Sequence, residues 1–151
     1  MENWDFLRSL QADFAFDLTT EEDEAVLTNR DTGGKIGTLL ETYACPDSPE
    51  YDFTQYIVSF STQHCHFEEA EDAADYIRRI LTDDALPIEF YRQGQRRFGG
   101  DLARAELAGL TKAFLAGWIG YPPEYLSQFE YEIHSWSGTL DTGRRKVEEL
   151  P

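Results

Sequence analysis

The most regular hydrophobic pattern in the chain lies between residues 68 and 81. Apolar side chains recur there every three or four positions, which predicts a helix with one buried stripe. Acidic residues occupy its first turn and Arg78 and Arg79 its last, as the helix dipole favours. The stripe consists of Ala70, Ala73, Ala74, Ile77, Ile80 and Leu81. Its alanines would allow this helix to lie close against a sheet.

Strict alternation of apolar and polar residues predicts strands elsewhere in the chain. Turn sequences at residues 29–34 and at Gln93-Gly94 join neighbouring strands into hairpins. The predicted strands cover residues 14–18, 25–28, 35–40, 53–62, 86–91, 96–98 and 128–136. Because hairpins outnumber crossovers, we expect a mostly antiparallel sheet.

Two further helices are predicted. Helical spacing links Trp4, Leu7, Leu10 and Phe14 near the start of the chain. Later, Asp101 is expected to cap a helix that runs to Trp118, before a Gly- and Pro-rich stop at residues 120–123. The fold class that follows is α+β, a single domain over residues 1–151 with two or three helices packed on the sheet. The polar tail from about residue 143 is expected to be frayed.

Charge is the most unusual property of the sequence. There are 13 Lys and Arg against 29 Asp and Glu, which gives a net charge of −16 and a pI near 4.4. Residues 1–77 hold 18 acidic and three basic side chains, whereas residues 78–151 hold 11 acidic and ten basic ones. Such a field repels nucleic acid and anionic lipid and attracts basic proteins. We therefore expect a basic protein partner, no nucleic acid and no membrane.

Composition predicts a cytoplasmic protein. No apolar run approaches the roughly 18 residues that a membrane span needs, and the first residues are acidic, unlike a secretory leader. Cys45 and Cys65 set no disulfide framework, which fits a reducing compartment.

Catalytic motifs are missing from the sequence. It has no Gly-x-Ser-x-Gly nucleophile elbow and no glycine-rich phosphate loop. The triplet Asp-Thr-Gly occurs at Asp31 and at Asp141, but basic and turn-forming neighbours at both places indicate solvated turns instead of a buried aspartic dyad. The chain is predicted not to be an enzyme and to need no cofactor.

The best metal-like signal is His64-Cys65-His66. If a strand continues that far, both imidazoles project from one face, as two ligands of a zinc or iron site would. A third ligand, such as His134, would have to come from a distant part of the chain. The alternative is that both histidines hydrogen-bond to the following helix. A small metal-dependent enzyme or sensor therefore remains a second functional hypothesis.

Carboxylates and aromatic side chains are the candidates for partner binding, because charges steer association and aromatic residues anchor interfaces. Trp136 is either an exposed anchor or a buried core residue, since a strand pattern does not say what covers it. The candidates are Glu21, Glu22, Asp23, Glu24, Glu68, Glu69, Glu71, Asp72, Tyr91, Glu130, Glu132 and Trp136.

Three segments between residues 53 and 101 resemble bacterial immunity proteins of contact-dependent growth inhibition and polymorphic toxin systems. They are His64-Cys65-His66-Phe67 before the helix, Leu-Pro-Ile-Glu-Phe-Tyr at residues 86–91, and Phe98-Gly99-Gly100. The resemblance implies a tight one-to-one complex with a toxin domain, often a nuclease, whose active site is blocked. It supports an immunity-type inhibitor acting in the cytosol, with a housekeeping protein–protein adaptor as another alternative.

Overall fold

The computed structural model describes residues 3–151, in which nine strands and the helices build two compact units, Met1–Thr82 and Asp83–Pro151. All strand pairs are antiparallel, and they form two separate sheets. The predicted α+β class with antiparallel strands is confirmed. The sequence predicted one domain over residues 1–151, whereas each of the two units has its own sheet.

The first unit contains a five-stranded sheet in which the strands lie in chain order. The helices are α1 (Asp5–Leu10) and α2 (Ala70–Leu81). The strands are β1 (Asp17–Thr20), β2 (Glu24–Thr28), β3 (Lys35–Tyr43), β4 (Phe53–Phe60) and β5 (Gln63–Phe67). A 3₁₀ turn, Pro49–Tyr51, lies in the connection between β3 and β4.

One face of this sheet packs on both helices. We call it the inner face, and it carries the buried Leu27, Ile36 and Val58. Tyr56 on this face contacts the ring of Trp4 beside α1, while Phe67 contacts Tyr76 of α2. Burial of the apolar stripe of α2 stabilises the unit, since about 25 cal/mol is gained per Å² of apolar surface removed from water.

The second unit contains a four-stranded sheet in the order β7-β6-β8-β9. The strands are β6 (Ala85–Arg92), β7 (Gln95–Ala103), β8 (Glu130–Ile133) and β9 (Arg145–Lys146). The helices are α3 (Lys112–Ile119) and α4 (Pro123–Leu126), with 3₁₀ turns at Arg104–Gly109 and Val147–Glu149. Its core includes Ile88, Phe90, Leu102, Leu115 and Phe129.

The prediction of one long helix from Asp101 to Trp118 is wrong for the first half of this segment. Residues 101–103 belong to β7, which pairs with β6 as far as Ala85↔Ala103 and buries Leu102 opposite Leu86. Helix α3 begins only at Lys112, and its N-cap is Thr111, whose hydroxyl accepts a hydrogen bond from the Phe114 amide. Packing of Leu102 in the core outweighs the local capping signal of Asp101.

Other boundaries also differ from prediction. The strand expected over residues 53–62 reverses at Ser61, so that β4 and β5 form a hairpin. The first helix ends at Leu10, before Phe14. The tail expected to fray from residue 143 contributes β9 to the sheet and buries Val147 completely. In residues 3–151, no helix combines the length and the apolar character required to cross a membrane.

Candidate functional site

The face of the five-stranded sheet opposite the helices, which we call the outer face, is open to solvent. Every residue that the strand register places on it is at least partly exposed. Its side chains are those of Asp17, Thr19, Glu24, Val26, Thr28, Lys35, Leu39, Glu41, Tyr43, Phe53, Gln55, Ile57, Ser59, His64 and His66. The face therefore mixes carboxylates, imidazoles and apolar groups.

Strand connectivity gathers acidic residues at one end of this sheet. β1, β3 and β5 end there, and β2 and β4 begin there, because neighbouring strands are antiparallel. The connections at this end are the β1–β2 turn, the loop from β3 to β4, and the entry to α2. We call this the acidic end, and its carboxylates are those of Glu21, Glu22, Asp23, Glu24, Glu41, Asp47, Glu50, Asp52, Glu68 and Glu69, together with Glu71 and Asp72 in the first turn of α2.

The basic residues on the strands and hairpin turns of the five-stranded sheet lie at its opposite end. Arg30 and Lys35 flank the β2–β3 turn, and Arg30 forms a 2.7 Å ion pair with Asp17. In the first unit as a whole, 18 Asp and Glu against five Lys and Arg give −13, whereas 11 against eight give −3 in the second. The negative charge is thus concentrated in one unit and, on its sheet, at one end.

An exposed aromatic pair lies on the outer face at the acidic end. Tyr43 and Phe53 are directly opposite each other on β3 and β4, and their rings stack with centroids 4.8 Å apart and planes 20° apart. Their exposed fractions are 41% and 47%, and Tyr51 in the adjacent loop is 68% exposed. Exposed aromatic rings surrounded by charge are typical of interface anchors.

Hydrogen bonds hold the polar groups beside this pair in place. Gln55 Nε2 donates to Glu41 Oε2 at 3.0 Å, and Gln55 Oε1 lies 3.2 Å from His66 Nδ1. The hydrogen bond between Tyr43 and Glu41, with some burial, raises the pKa of Tyr43 above its usual value. The surface is therefore partly preorganised, which lowers the entropy cost of binding.

The loop between β3 and β4 adds a shallow cavity at the acidic end. Asp52 Oδ1 accepts a hydrogen bond from the Cys45 amide at 2.6 Å and closes the loop. The cavity has a volume of about 520 Å³ and is lined by Ala44, Cys45, Pro46, Asp47, Ser48 and Tyr51. It offers a place for a protruding side chain of a partner.

The structure brings most of the predicted recognition acids together. Glu21, Glu22, Asp23 and Glu24 are exposed around the β1–β2 turn, and Glu68 and Glu69 are exposed where β5 leads into α2. Glu71 and Asp72 are exposed in the first turn of α2. The sequence did not single out Tyr43 and Phe53, although their alternation with Thr42 and Thr54 on adjacent strands was a usable signal.

The predicted partner-binding residues of the second unit have other surroundings. Trp136 is only 7% exposed, so it is a buried residue and not an exposed anchor. The Tyr91 hydroxyl donates to Glu89 Oε2 at 2.6 Å, and the Arg144 guanidinium lies over the Tyr91 ring at 3.5 Å from its centroid. Glu132 forms a 2.9 Å ion pair with Arg144, and Glu130 is partly exposed. Tyr91, Glu132 and Arg144 are thus engaged in contacts within the second unit.

The histidines predicted as metal ligands are separated between two sites. His64 and His66 project from the same face of β5, as expected, with ring centroids 5.3 Å apart. Within residues 3–151, the one cluster of potential ligands with at least three members does not include them. It combines His134 with Glu89 and Glu132, whose ligand atoms all lie within 4.8 Å of one another.

A second cavity lies in the second unit. It measures about 490 Å³ and is lined by Arg92, Gln93, Arg97, Phe98, Tyr121, Tyr125 and Phe129. The Arg92 guanidinium already lies over the rings of Tyr125 and Phe129 and donates to Gln128. The Arg92 guanidinium of this cavity thus already has partners within the chain.

No protein-family model, curated protein or solved structure matches this chain. Its function is therefore inferred from the geometry of its surfaces.

Proposed function

We propose that this chain is a binding protein that docks a basic protein on the acidic end of its five-stranded sheet. The observation that carries the proposal is the exposed Tyr43–Phe53 stack at the acidic end of the sheet. The aromatic faces would receive Arg or Lys side chains of the partner through cation–π contacts, and the carboxylates would pair with neighbouring cations. Both kinds of contact select a positively charged surface.

The distribution of charge suits such an encounter. A field concentrated at one end both attracts and orients a basic partner, which raises the association rate more than the final affinity. Affinity would come from desolvation of the aromatic pair, because a few central residues supply most of the binding energy of an interface. The acidic residues and the aromatic residues therefore have different kinetic roles.

The biological role that we propose is that of an immunity-type inhibitor. A nuclease toxin has a basic groove because it holds phosphates, and a protein that presents carboxylates to that groove would block it. The resemblance to immunity proteins agrees with this role. A housekeeping adaptor would bind a basic protein through the same surface but would not inhibit it.

Affinity capture at low salt tests the binding proposal. We expect wild-type chain to retain a basic protein from the cells that produce it, and the triple variant Glu69→Lys, Glu71→Lys, Asp72→Lys to lose most of it. The triple variant Asp13→Lys, Asp17→Lys, Asp31→Lys, at the opposite end of the sheet, changes the net charge by the same amount, so it is the matched control and should still bind. Equal capture by all three proteins would show that the acidic end is not the docking surface.

Growth rescue separates an inhibitor from an adaptor. Cells that express the captured protein should stop growing if it is a toxin, and co-expression of the wild-type chain should restore growth. A captured protein that is harmless when expressed alone would contradict the immunity role and would leave only the adaptor.

A further inference from the structure

Three potential metal ligands meet on one face of the four-stranded sheet. Glu89 on β6 is the direct register partner of Glu132 on β8, and His134 follows two residues later, so that its side chain returns to the same face. The His134 amide donates to the Pro87 carbonyl at 2.9 Å, which continues the β6–β8 pairing past the end of β8. Strand pairing thus fixes all three positions.

The distances from His134 to the two carboxylates match those between ligand atoms of a tetrahedral zinc site, and the ligand atoms of Glu89 and Glu132 lie within 4.8 Å of each other. His134 Nε2 lies 3.4 Å from Glu132 Oε2 and 3.5 Å from Glu89 Oε2. Zinc–ligand bonds of about 2.0–2.2 Å at tetrahedral angles place neighbouring ligand atoms about 3.3–3.6 Å apart. Three protein ligands would leave the fourth position for water or another small molecule.

His134 Nε2 is shielded from solvent, and within the described residues it has no hydrogen-bond partner. It lies within ion-pair distance of both carboxylates, but neither arrangement has the geometry of a hydrogen bond. A buried polar atom without a hydrogen bond destabilises the fold, so a missing partner is expected there. A metal ion between the three groups would supply one.

Neighbouring residues orient both carboxylates, as outer-shell partners do at metal sites. The Tyr91 hydroxyl donates to Glu89, whose side chain is only 3% exposed. Arg144 Nε donates to Oε1 of Glu132 and leaves Oε2 directed at His134. The ion pair with Arg144 also offsets part of the negative charge of Glu132.

We propose that Glu89, Glu132 and His134 bind one divalent transition-metal ion of the zinc type. Mixed imidazole and carboxylate ligands suit such ions, whereas calcium and magnesium prefer oxygen ligands alone. The site lies in the second unit and does not depend on the docking surface of the first.

Calorimetric titration of Zn²⁺ into chelator-treated full-length protein tests this site. We expect one ion per chain, and we expect His134→Ala and Glu132→Gln to weaken binding by at least the roughly 10- to 100-fold that loss of an outer-shell group costs. The double variant His64→Ala, His66→Ala is the matched control and should bind as wild type does. Circular dichroism establishes whether each variant is folded. If His134→Ala does not fold, Glu132→Gln still tests the site.

Cobalt provides an independent readout of the geometry. Co²⁺ bound at this site should show the intense visible absorption of tetrahedral coordination, and Glu132→Gln should abolish it. Absence of saturable binding in the wild type would overturn the proposal. Binding that survives His134→Ala but fails in the His64, His66 double variant would also overturn it. Because His134 and Glu132 lie in the second unit, their variants leave the acidic end of the first unit intact, so zinc binding and partner capture can fail separately.

Discussion

The hydroxyl of Tyr91 donates a 2.6 Å hydrogen bond to Oε2 of Glu89, two residues earlier on the same strand and on the same face. Only the neutral phenol makes this bond, because a phenolate would face a carboxylate across a short distance. The bond, together with burial and the charge of Glu89, raises the pKa of Tyr91 to about 12. Tyr91 is thereby tied to the protonation state in which it can hold Glu89.

This pKa predicts a loss of stability at high pH. The tyrosine ionises near pH 10 in the unfolded chain but near 12 in the folded one, so between these values the unfolded state releases a proton that the native state keeps. The stabilisation is complete below about pH 10 and is lost as pH rises to about 12. Denaturant unfolding of metal-free wild type and Tyr91→Phe should show a difference in unfolding free energy that changes across this window. Parallel curves would contradict the assignment.

Gly100 and Gly117 should respond in opposite directions to replacement by Ala. A Cβ at Gly100 would lie 2.7 Å from Cη2 of the Trp118 side chain, whereas one at Gly117, on α3, meets nothing within 4 Å. We expect Gly100→Ala to cost about 1–3 kcal/mol of unfolding free energy through overpacking. Gly117→Ala should add up to about 1 kcal/mol because alanine favours the helix. Equal effects in urea unfolding would show that Trp118 does not constrain Gly100.

Thr111 should matter to α3 as its N-cap. The Phe114 amide donates to Thr111 Oγ1 at 3.0 Å. We expect Thr111→Ala to lower the unfolding free energy by about 1 kcal/mol and Thr111→Ser to leave it nearly unchanged, because serine keeps the acceptor. Thermal unfolding followed by circular dichroism measures both. A serine variant as unstable as the alanine variant would point to the Thr111 methyl group instead.

Phe53 should matter to binding and little to folding. Its side chain is 47% exposed, so Phe53→Ala should change the unfolding free energy by only about 0.5 kcal/mol. Loss of an interface anchor costs about 2 kcal/mol or more, which is roughly a 30-fold weaker complex with the captured partner. Thr19→Ala, elsewhere on the outer face, should bind normally. Surface plasmon resonance would show whether the loss lies in the dissociation rate, as expected of an anchor.

Salt concentration should change mainly the rate at which the partner associates. Carboxylates at the acidic end attract a basic partner over a Debye length, which falls from about 30 Å at 0.01 M salt to about 10 Å at 0.1 M. We expect the association rate to fall steeply over this range while the dissociation rate changes little. An association rate that is independent of salt would remove charge from the recognition mechanism.

The sequence predicted elements best where the periodic signal was long. Helix α2 was expected over residues 68–81 and runs from Ala70 to Leu81. The strand predicted over residues 96–98 was too short, because no local signal shows that Gly100 makes room for the Trp118 ring inside β7. The reversal at Ser61 was missed because a serine, with φ 57°, takes a conformation that usually indicates glycine.

Both candidate sites are formed by residues that are distant in the sequence and paired across strands. Alternation in the sequence placed Tyr56, Val58 and Phe60 together, but only the strand register brings Tyr43 beside Phe53. Similarly, Glu132 and His134 were recognisable as sharing a face, whereas Glu89 joins them through the β6–β8 register. Cross-strand register is set by turns and core packing along the whole sheet, so no single segment contains it.

Side chains alternate between the two faces along β3 and β4, so the residues that stabilise the core differ from those that can contact a partner. Thr38 and Val58 are buried on the inner face, while their neighbours Leu39 and Ile57 reach solvent on the outer face. Replacing an outward side chain therefore leaves the packing beneath it unchanged. A lineage could retarget this surface to a new partner one substitution at a time without first acquiring a compensating core mutation.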